Sequence, residues 1–378
     1  MHFSIFSFFM SQMWVTIFVI SIYLFTRNKN FIRNYGVTPL LSIVIVVVQK
    51  MFFPFEISKP ILIKSKFIYP KIRKLLYYSL ATVGTTVITP LVILCAIWIS
   101  IAIFFLIRFF IQYFSFYKNI KSLKPIKDKK IEKIMSKIKG VKYSNIKTKI
   151  YYCIDSQSPF MIGFFSPCIF LTKSDYDDGA LYHMLLHEWT HFLNKDTWIK
   201  LLVQILTSIF WWNPFIYLLK KDLSQILEIK CDLKVTTNFS LSEKSTYLKN
   251  IISVIKDYRS STSKFCLATY FGEMSGKEKI KQRFSLVLDN TPRYRRARNL
   301  IFIIFFLLTT IASNVFLIQP ANEPPKIDNK VTSENTYIEK KSDGTYDIYT
   351  NDKLVGTYQN KSKIIESFVD MGVIIKED

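Results

Sequence analysis

The chain has 378 residues, 50% of them hydrophobic and 16% aromatic, and a positive mean hydropathy. That composition sets aside a wholly soluble protein and leaves room for one modest soluble domain beside several membrane spans. Fifty-one Lys and Arg against 28 Asp and Glu give a net charge of +23. Basic cytosolic loops facing anionic lipid explain this more economically than nucleic-acid binding, and no DNA-reading motif or glycine-rich phosphate loop stands out.

Met1 to Phe25 is apolar, with no basic start and no small-residue cleavage site, so it predicts a retained first span over about residues 3–25. A second apolar run covers about 37–55, interrupted by Gln49 and Lys50, whose lysine can snorkel. A third covers about 80–111, and a fourth covers 299–318 behind Arg293, Arg295, Arg296 and Arg298. Residues 1–112 are thus expected to hold three spans, 113–298 a cytosolic domain, and 319–378 a small outer tail. Four crossings put both termini on one side, and the Lys-rich stretch 118–298 assigns the middle to the cytosol. One loop strains this topology. Lys59, Lys64, Lys66, Lys71, Arg73 and Lys74 would lie outside.

Within the middle region, Asp128 to Lys139 reads as an amphipathic helix ended by Gly140, and 149–154 as a strand. Residues 160–171, broken at Gly163 and Ser166-Pro167, read as a hairpin. It could hold a substrate backbone by strand addition, or it could be ordinary core. Next comes His187-Glu188-Trp189-Thr190-His191 in an apolar helical run. Three of the four histidines, His183, His187 and His191, fall within nine residues. Positions i and i+4 share a helix face, so two imidazoles there can bind one Zn²⁺, with Glu188 placed as general base. Asp196 either supports that helix or caps the next one.

The apolar run 198–212 could pass for a span. A single crossing would part His187 from Glu228, so a buried or membrane-facing helix turned at Asn213-Pro214 is expected instead. Glu228 and Asp232, four apart, suit a third ligand and a carboxylate orienting a ligand histidine. The alternative is a solvated face, which Lys220, Lys221 and Lys230 show this helix to have. Cys231 is either a soft ligand or a packing residue. Five irregularly spaced cysteines give no disulfide framework. Residues 241–256 and 275–288 read as helices. The tail reads as strands over 336–338, 345–350 and 354–358, with a helix over 361–371.

The segment from Ser158-Pro159-Phe160, through the HExxH helix and Trp212-Asn213-Pro214-Phe215, to Glu228-Ile229-Lys230-Cys231-Asp232 resembles the BlaR/MecR family of membrane metallopeptidases. The resemblance implies a polytopic α-helical membrane protein with an inserted α+β gluzincin domain. It implies zinc held by His187, His191 and Glu228, with Glu188 as base and Asp232 orienting a ligand. It also implies a cytosolic protein substrate, such as a winged-helix repressor, or the chain itself. A self-cut would fall near Thr269, Tyr270 and Phe271. The protein would contact membrane lipids and could self-associate.

The family's best-known members end in a penicillin-binding domain with a serine three residues before a lysine. Here Ser333, Ser342, Ser362 and Ser367 lack that lysine, so covalent β-lactam sensing is not expected of this stretch. Two other readings share the motif: a housekeeping protease of the HtpX type, and a zinc-binding receptor or scaffold without catalysis. A pure structural site would need no Glu188.

Overall fold

The structure is a computed structural model. It describes residues 5–53, 61–65, 68–83, 86–153, 158–172, 176–257, 277–289, 296–320, 336–342, 344–350, 353–359, 365, 368–369 and 373–377. It is mostly helical and divides into two compact units, Met1–Ile63 with Lys71–Ile318, and Lys64–Pro70 with Gln319–Asp378.

α1 (Ile5–Arg27) is uncharged up to its last residue. Its 23 residues reach about 34 Å at 1.5 Å each, enough for a bilayer core of about 30 Å. α2 (Lys29–Tyr35) starts at Asn28, whose side chain accepts from the N–H groups of Asn30 and Phe31, and stops at Gly36 with φ 73°. α3 (Thr38–Phe52) has only 15 residues, fewer than the crossing expected over 37–55. It qualifies as a span only together with α2, to which it is bent by 99°. β1 (Ile61–Ser65), α4 (Ile68–Leu76), β2 (Ala81–Val83) and β3 (Thr86–Ile88) follow. The apolar run expected to cross from residue 80 therefore opens as an antiparallel ribbon, β2 on β3. Its helix, α5 (Pro90–Ser122), begins at a proline, which suits a first helical turn. By length and composition, Ser7–Arg27, Pro90–Asn119 and Ala297–Val315 can cross a membrane, and the bent pair would make four spans.

α6 (Lys129–Lys139) is capped by Asp128, which accepts from the Lys130 N–H at 2.8 Å, and ends at Gly140 with φ 57°. β4 (Lys149–Cys153), β5 (Phe160–Ile162) and β6 (Cys168–Thr172) form a sheet in the order β4-β6-β5. β4 runs parallel to β6 with Ile150 opposite Ile169, and β5 runs antiparallel with Phe160 opposite Phe170. The β5–β6 turn needs Gly163, whose φ is 115°; a Cβ there would sit 2.2 Å from the Ser166 carbonyl oxygen. Gly163→Ala should therefore cost about 2 kcal/mol or more through backbone strain. Thermal unfolding of the purified protein checks this, and an unchanged melting curve would contradict the turn geometry.

α7 (Asp178–Leu193) begins at Asp177, which accepts from the Ala180 N–H at 2.7 Å. Its Leu181, Leu185 and Trp189 pack on Ile150, Met161, Ile169 and Leu171 of the sheet. α8 (Asp196–Ile209) and α9 (Pro214–Val235) follow, turned at Asn213, whose side chain accepts from the Phe215 N–H ahead of a first-turn proline. α10 (Leu241–Asp257) opens with a reciprocal cap between Ser240 and Glu243. α11 (Lys277–Leu288), α12 (Arg296–Val315) and β7 (Phe316–Pro320) complete this part of the chain.

The α8–α9 pair packs among the candidate spans, in keeping with the helix and turn expected over 198–214. One apolar cluster joins Val19 and Ile22 of α1, Leu40, Ile43 and Val47 of α3, Leu206 of α8, and Leu219, Leu223 and Ile226 of α9. Between helices that sit in lipid, such contacts hold by close van der Waals packing rather than by removing apolar surface from water. Several polar groups find partners within the apolar surroundings. The Trp98 indole of α5 donates to the Ile209 carbonyl at 2.6 Å, Asn213 donates to Gln12 at 3.2 Å, and Arg27 pairs with buried Asp222 at 3.4 Å.

In the second unit, β8 (Thr336–Lys340), β9 (Thr345–Thr350), β10 (Lys353–Gln359) and β11 (Ile374–Glu377) form a sheet in the order β10-β9-β8-β11. β11, not foreseen from the sequence, joins parallel to β8. Ile338, Ile348, Ile365 and Val373 form its small core. Most of the helix expected over 361–371 lies outside the described residues.

Candidate active site

The site starts from one turn of α7. His187 and His191 are both buried, and their rings meet edge to face with centroids 4.8 Å apart. Their Nε2 atoms stand 3.1 Å apart. Glu228 reaches them from α9: Oε2 lies 3.4 Å from His187 Nε2, and Oε1 lies 3.5 Å from His191 Nε2. Ligands on a tetrahedral zinc at about 2.0–2.1 Å stand about 3.3 Å from one another, close to these spacings.

Cys231 is a second candidate donor. Its sulfur groups with both histidines within 4.8 Å. It lies, however, 3.6 Å from His187 Nδ1 and 3.3 Å from the His187 carbonyl oxygen, behind the ring. The two Nε2 atoms converge on Glu228 instead. Cys231 is fully buried, whereas the Glu228 side chain keeps 26% exposure and forms the open side of the group. The residues fit a His–His–carboxylate set better than a set built on the thiol.

The far nitrogens are occupied in a way that suits a metal. His191 Nδ1 meets Asp196 Oδ2 at 2.7 Å. Lys195, left-handed at φ 58°, turns the chain so that buried Asp196 folds back onto α7. His187 Nδ1 meets the Tyr247 hydroxyl at 2.8 Å, and that hydroxyl donates to Asp232 Oδ1 at 2.7 Å. Tyr247 must then accept from His187, which places the ring proton on Nδ1. Once zinc has displaced any second proton, both imidazoles would keep their hydrogen on Nδ1 and turn the Nε2 lone pair to the ion, the tautomer a metal needs. Asp232 itself lies 3.4 Å from His187 Nδ1, so it acts on that ring chiefly through Tyr247. Glu188 is buried beside His187. His183 stands apart from the group, bonded through Nδ1 to Asn250 at 2.9 Å.

Two residues here were not found from the sequence, Tyr247 and Arg283. The Arg283 guanidinium donates to Asp232 through Nε at 2.6 Å and Nη2 at 2.9 Å, and its Nη1 lies 3.1 Å from Glu228 Oε2. One signal was available: Ile280, Arg283, Phe284 and Val287 form an apolar helical stripe with a single charge in it. Tyr247 carries no comparable mark. Thr269, Tyr270 and Phe271 lie outside the described residues.

Without metal, burial presses the His187 imidazolium down, but Cys231 and Glu228 outweigh it and raise its pKa to about 10. Burial acts likewise on His191, and Cys231, Glu228 and Asp196 raise it well above the usual value. Burial raises Glu228, but Arg283 and the histidines hold it well below the carboxylate range. A raised histidine pKa stabilises the metal-free fold fully below about pH 6.5, and that contribution is lost as pH rises through about 10. Zinc must displace these protons, so its affinity should rise with pH by about tenfold per unit for each proton released. Chelator competition between pH 6 and 10 tests this. A flat profile would contradict the proton assignment.

At the neighbouring sheet edge, β5 pairs only with β6 among the described residues. Met161 of β5 touches Thr197 next to Asp196, and Phe164 and Phe165 of the turn pack on Trp198.

Candidate spans in the same chain as a buried group of histidines and carboxylates fit a membrane metallopeptidase. The chain matches the family described as BlaR1 peptidase M56 over residues 12–287 and belongs to that family. It is similar to the regulatory protein BlaR1 of Bacillus licheniformis, with 29% identity over 137 residues, 35% of this chain and 22% of that protein. It is also similar to the regulatory protein BlaR1 of Staphylococcus aureus, with 24% identity over 165 residues, 43% of this chain and 28% of that protein. The matched segments thus span under a third of either relative.

Proposed function

We propose that the chain is a zinc-dependent endopeptidase of gluzincin type that relays a signal across the membrane. The observation that carries this reading is the set of three donors, 3.1–3.5 Å apart, with both far ring nitrogens hydrogen-bonded. His187, His191 and Glu228 would hold the ion. Zinc, when bound, supplies a Lewis acid that polarises the scissile carbonyl and activates water. Glu188 accepts the proton of the attacking water and returns it to the leaving amine. Asp196 and Tyr247 hold the two rings, and the edge of β5 that pairs with no second strand among the described residues receives the substrate backbone as an added strand.

The peptidase part faces the cytosol and the second unit faces outside, in line with the Lys-rich stretch between the spans. The substrate is a cytosolic regulator such as a winged-helix repressor, or the chain itself. The regulatory name of the two relatives supports this direction.

Full-length protein in detergent should hold about one zinc per chain and cleave labelled casein. A chelator should stop cleavage and zinc should restore it. Cleavage indifferent to chelation would sink the reading. Self-cleavage should give a new N-terminus within residues 269–272, absent from Glu188→Gln. The same fragment from that variant would assign the cut to another protease.

A further inference from the structure

α11 precedes the last candidate span in sequence, and two adjacent residues on it face different parts of the molecule. Gln282 donates to the backbone carbonyl of Thr26, at the end of α1, and meets Gln225 of α9 at 3.3 Å. Gln225 also donates to the Lys279 carbonyl at 3.2 Å. At the end of α11, Asp289 pairs with Arg33 of α2 at 3.8 Å. Arg283 points the other way. It is buried, and its three nitrogens bridge Asp232 and Glu228. Glu228 Oε2 is also the atom 3.4 Å from His187 Nε2. The only guanidinium contacting the cluster, among the described residues, therefore arrives on a helix docked to the membrane bundle.

We propose that Arg283 is a positioning residue for the metal site, and that docking of α11 on α1 and α9 sets whether the site is competent. A planar guanidinium holds two carboxylates in one fixed geometry through its rigid fork of donors, whereas an ammonium has three donors on a flexible stem and no such fork. With α11 docked, Glu228 is presented to the histidines, and Asp232 is fixed to hold Tyr247 and through it His187. With α11 displaced, Glu228 and buried Asp232 both lose the guanidinium, and the donor set loosens without loss of any ligand. α11 leads into α12 and rests on α1, so a shift between these two helices reaches the metal through one side chain. This device rests on the metallopeptidase reading above.

The test uses full-length protein in nanodiscs with Co²⁺ in place of zinc, because cobalt absorption reports ligand geometry. Four proteins are compared: wild type, Arg283→Met, Arg283→Lys and Gln282→Ala. Arg283→Met should shift the visible cobalt bands, weaken cobalt binding about 10- to 100-fold and slow casein cleavage similarly, the range for losing a ligand's orienting partner. Arg283→Lys keeps the charge and should recover only part of each. Gln282→Ala touches no proposed ligand and should shift the same bands in the same direction, by less. If Arg283→Met does not fold, Arg283→Lys and Gln282→Ala still decide. Wild-type bands, affinity and rate in the Arg283 variants overturn the positioning role, and wild-type bands in Gln282→Ala overturn the docking role. If wild-type protein binds no cobalt, the metallopeptidase reading itself has failed and this proposal falls with it. A metal-binding wild type beside unaffected variants removes the proposal alone.

Discussion

Glu188→Gln should keep its zinc and lose peptide hydrolysis by about a hundredfold or more. General base catalysis contributes about 10²–10⁴ in rate, and the amide cannot take the proton. The change is close to isosteric, and the three donors lie elsewhere, on His187, His191 and Glu228. Metal analysis and casein cleavage on one preparation separate the two outcomes. Full activity in this variant would remove Glu188 from the chemistry and with it the gluzincin reading. Loss of zinc would mean that this buried side chain holds the site together rather than working in it.

Glu228→Ala should show the opposite pattern, with metal and activity falling together. Removing a partner that only orients a ligand costs about 10–100-fold in affinity, so removing a ligand should exceed that range. Asp196→Asn is the internal comparison, since Asp196 touches His191 only at Nδ1. Zinc affinity measured against a chelator series should rank wild type above Asp196→Asn, and Asp196→Asn above Glu228→Ala. Near-wild-type zinc in Glu228→Ala, with loss in Cys231→Ala, would transfer the third position to the thiol.

The helices carrying the candidate site were legible because their signals are local. The spacing of His187 and His191 needs only one helical turn, and Asp128 with Gly140, or Asn213 with Pro214, marks helix ends through backbone rules. Asp196 was open between two roles. Only the left-handed Lys195, which no propensity rule requires, turns its carboxylate onto His191. Tyr247 and Arg283 depend on contacts between residues 60 and 51 positions apart, and sequence spacing carries no information at that range. Hydropathy drew the second and third expected crossings as plain apolar runs for a related reason. It sums apolar content and does not see the 99° bend between α2 and α3, or the ribbon ahead of Pro90. β11 was missed because its pairing with β8 is parallel and distant, with no turn to announce it.

α9 runs from the apolar cluster of α1 and α3 to Glu228 without a break. The histidine pair rides on a helix that packs against a sheet, while the facing carboxylate rides on one rooted among the candidate spans. Excising residues 113–298 as a soluble enzyme would therefore fail for a specific reason. Leu219, Leu223 and Ile226 would be stripped of their neighbours and drawn into aggregation, and Glu228 would lose the anchorage that aims it. Inhibitor screening against this protein belongs in lipid, where the whole helix keeps its footing.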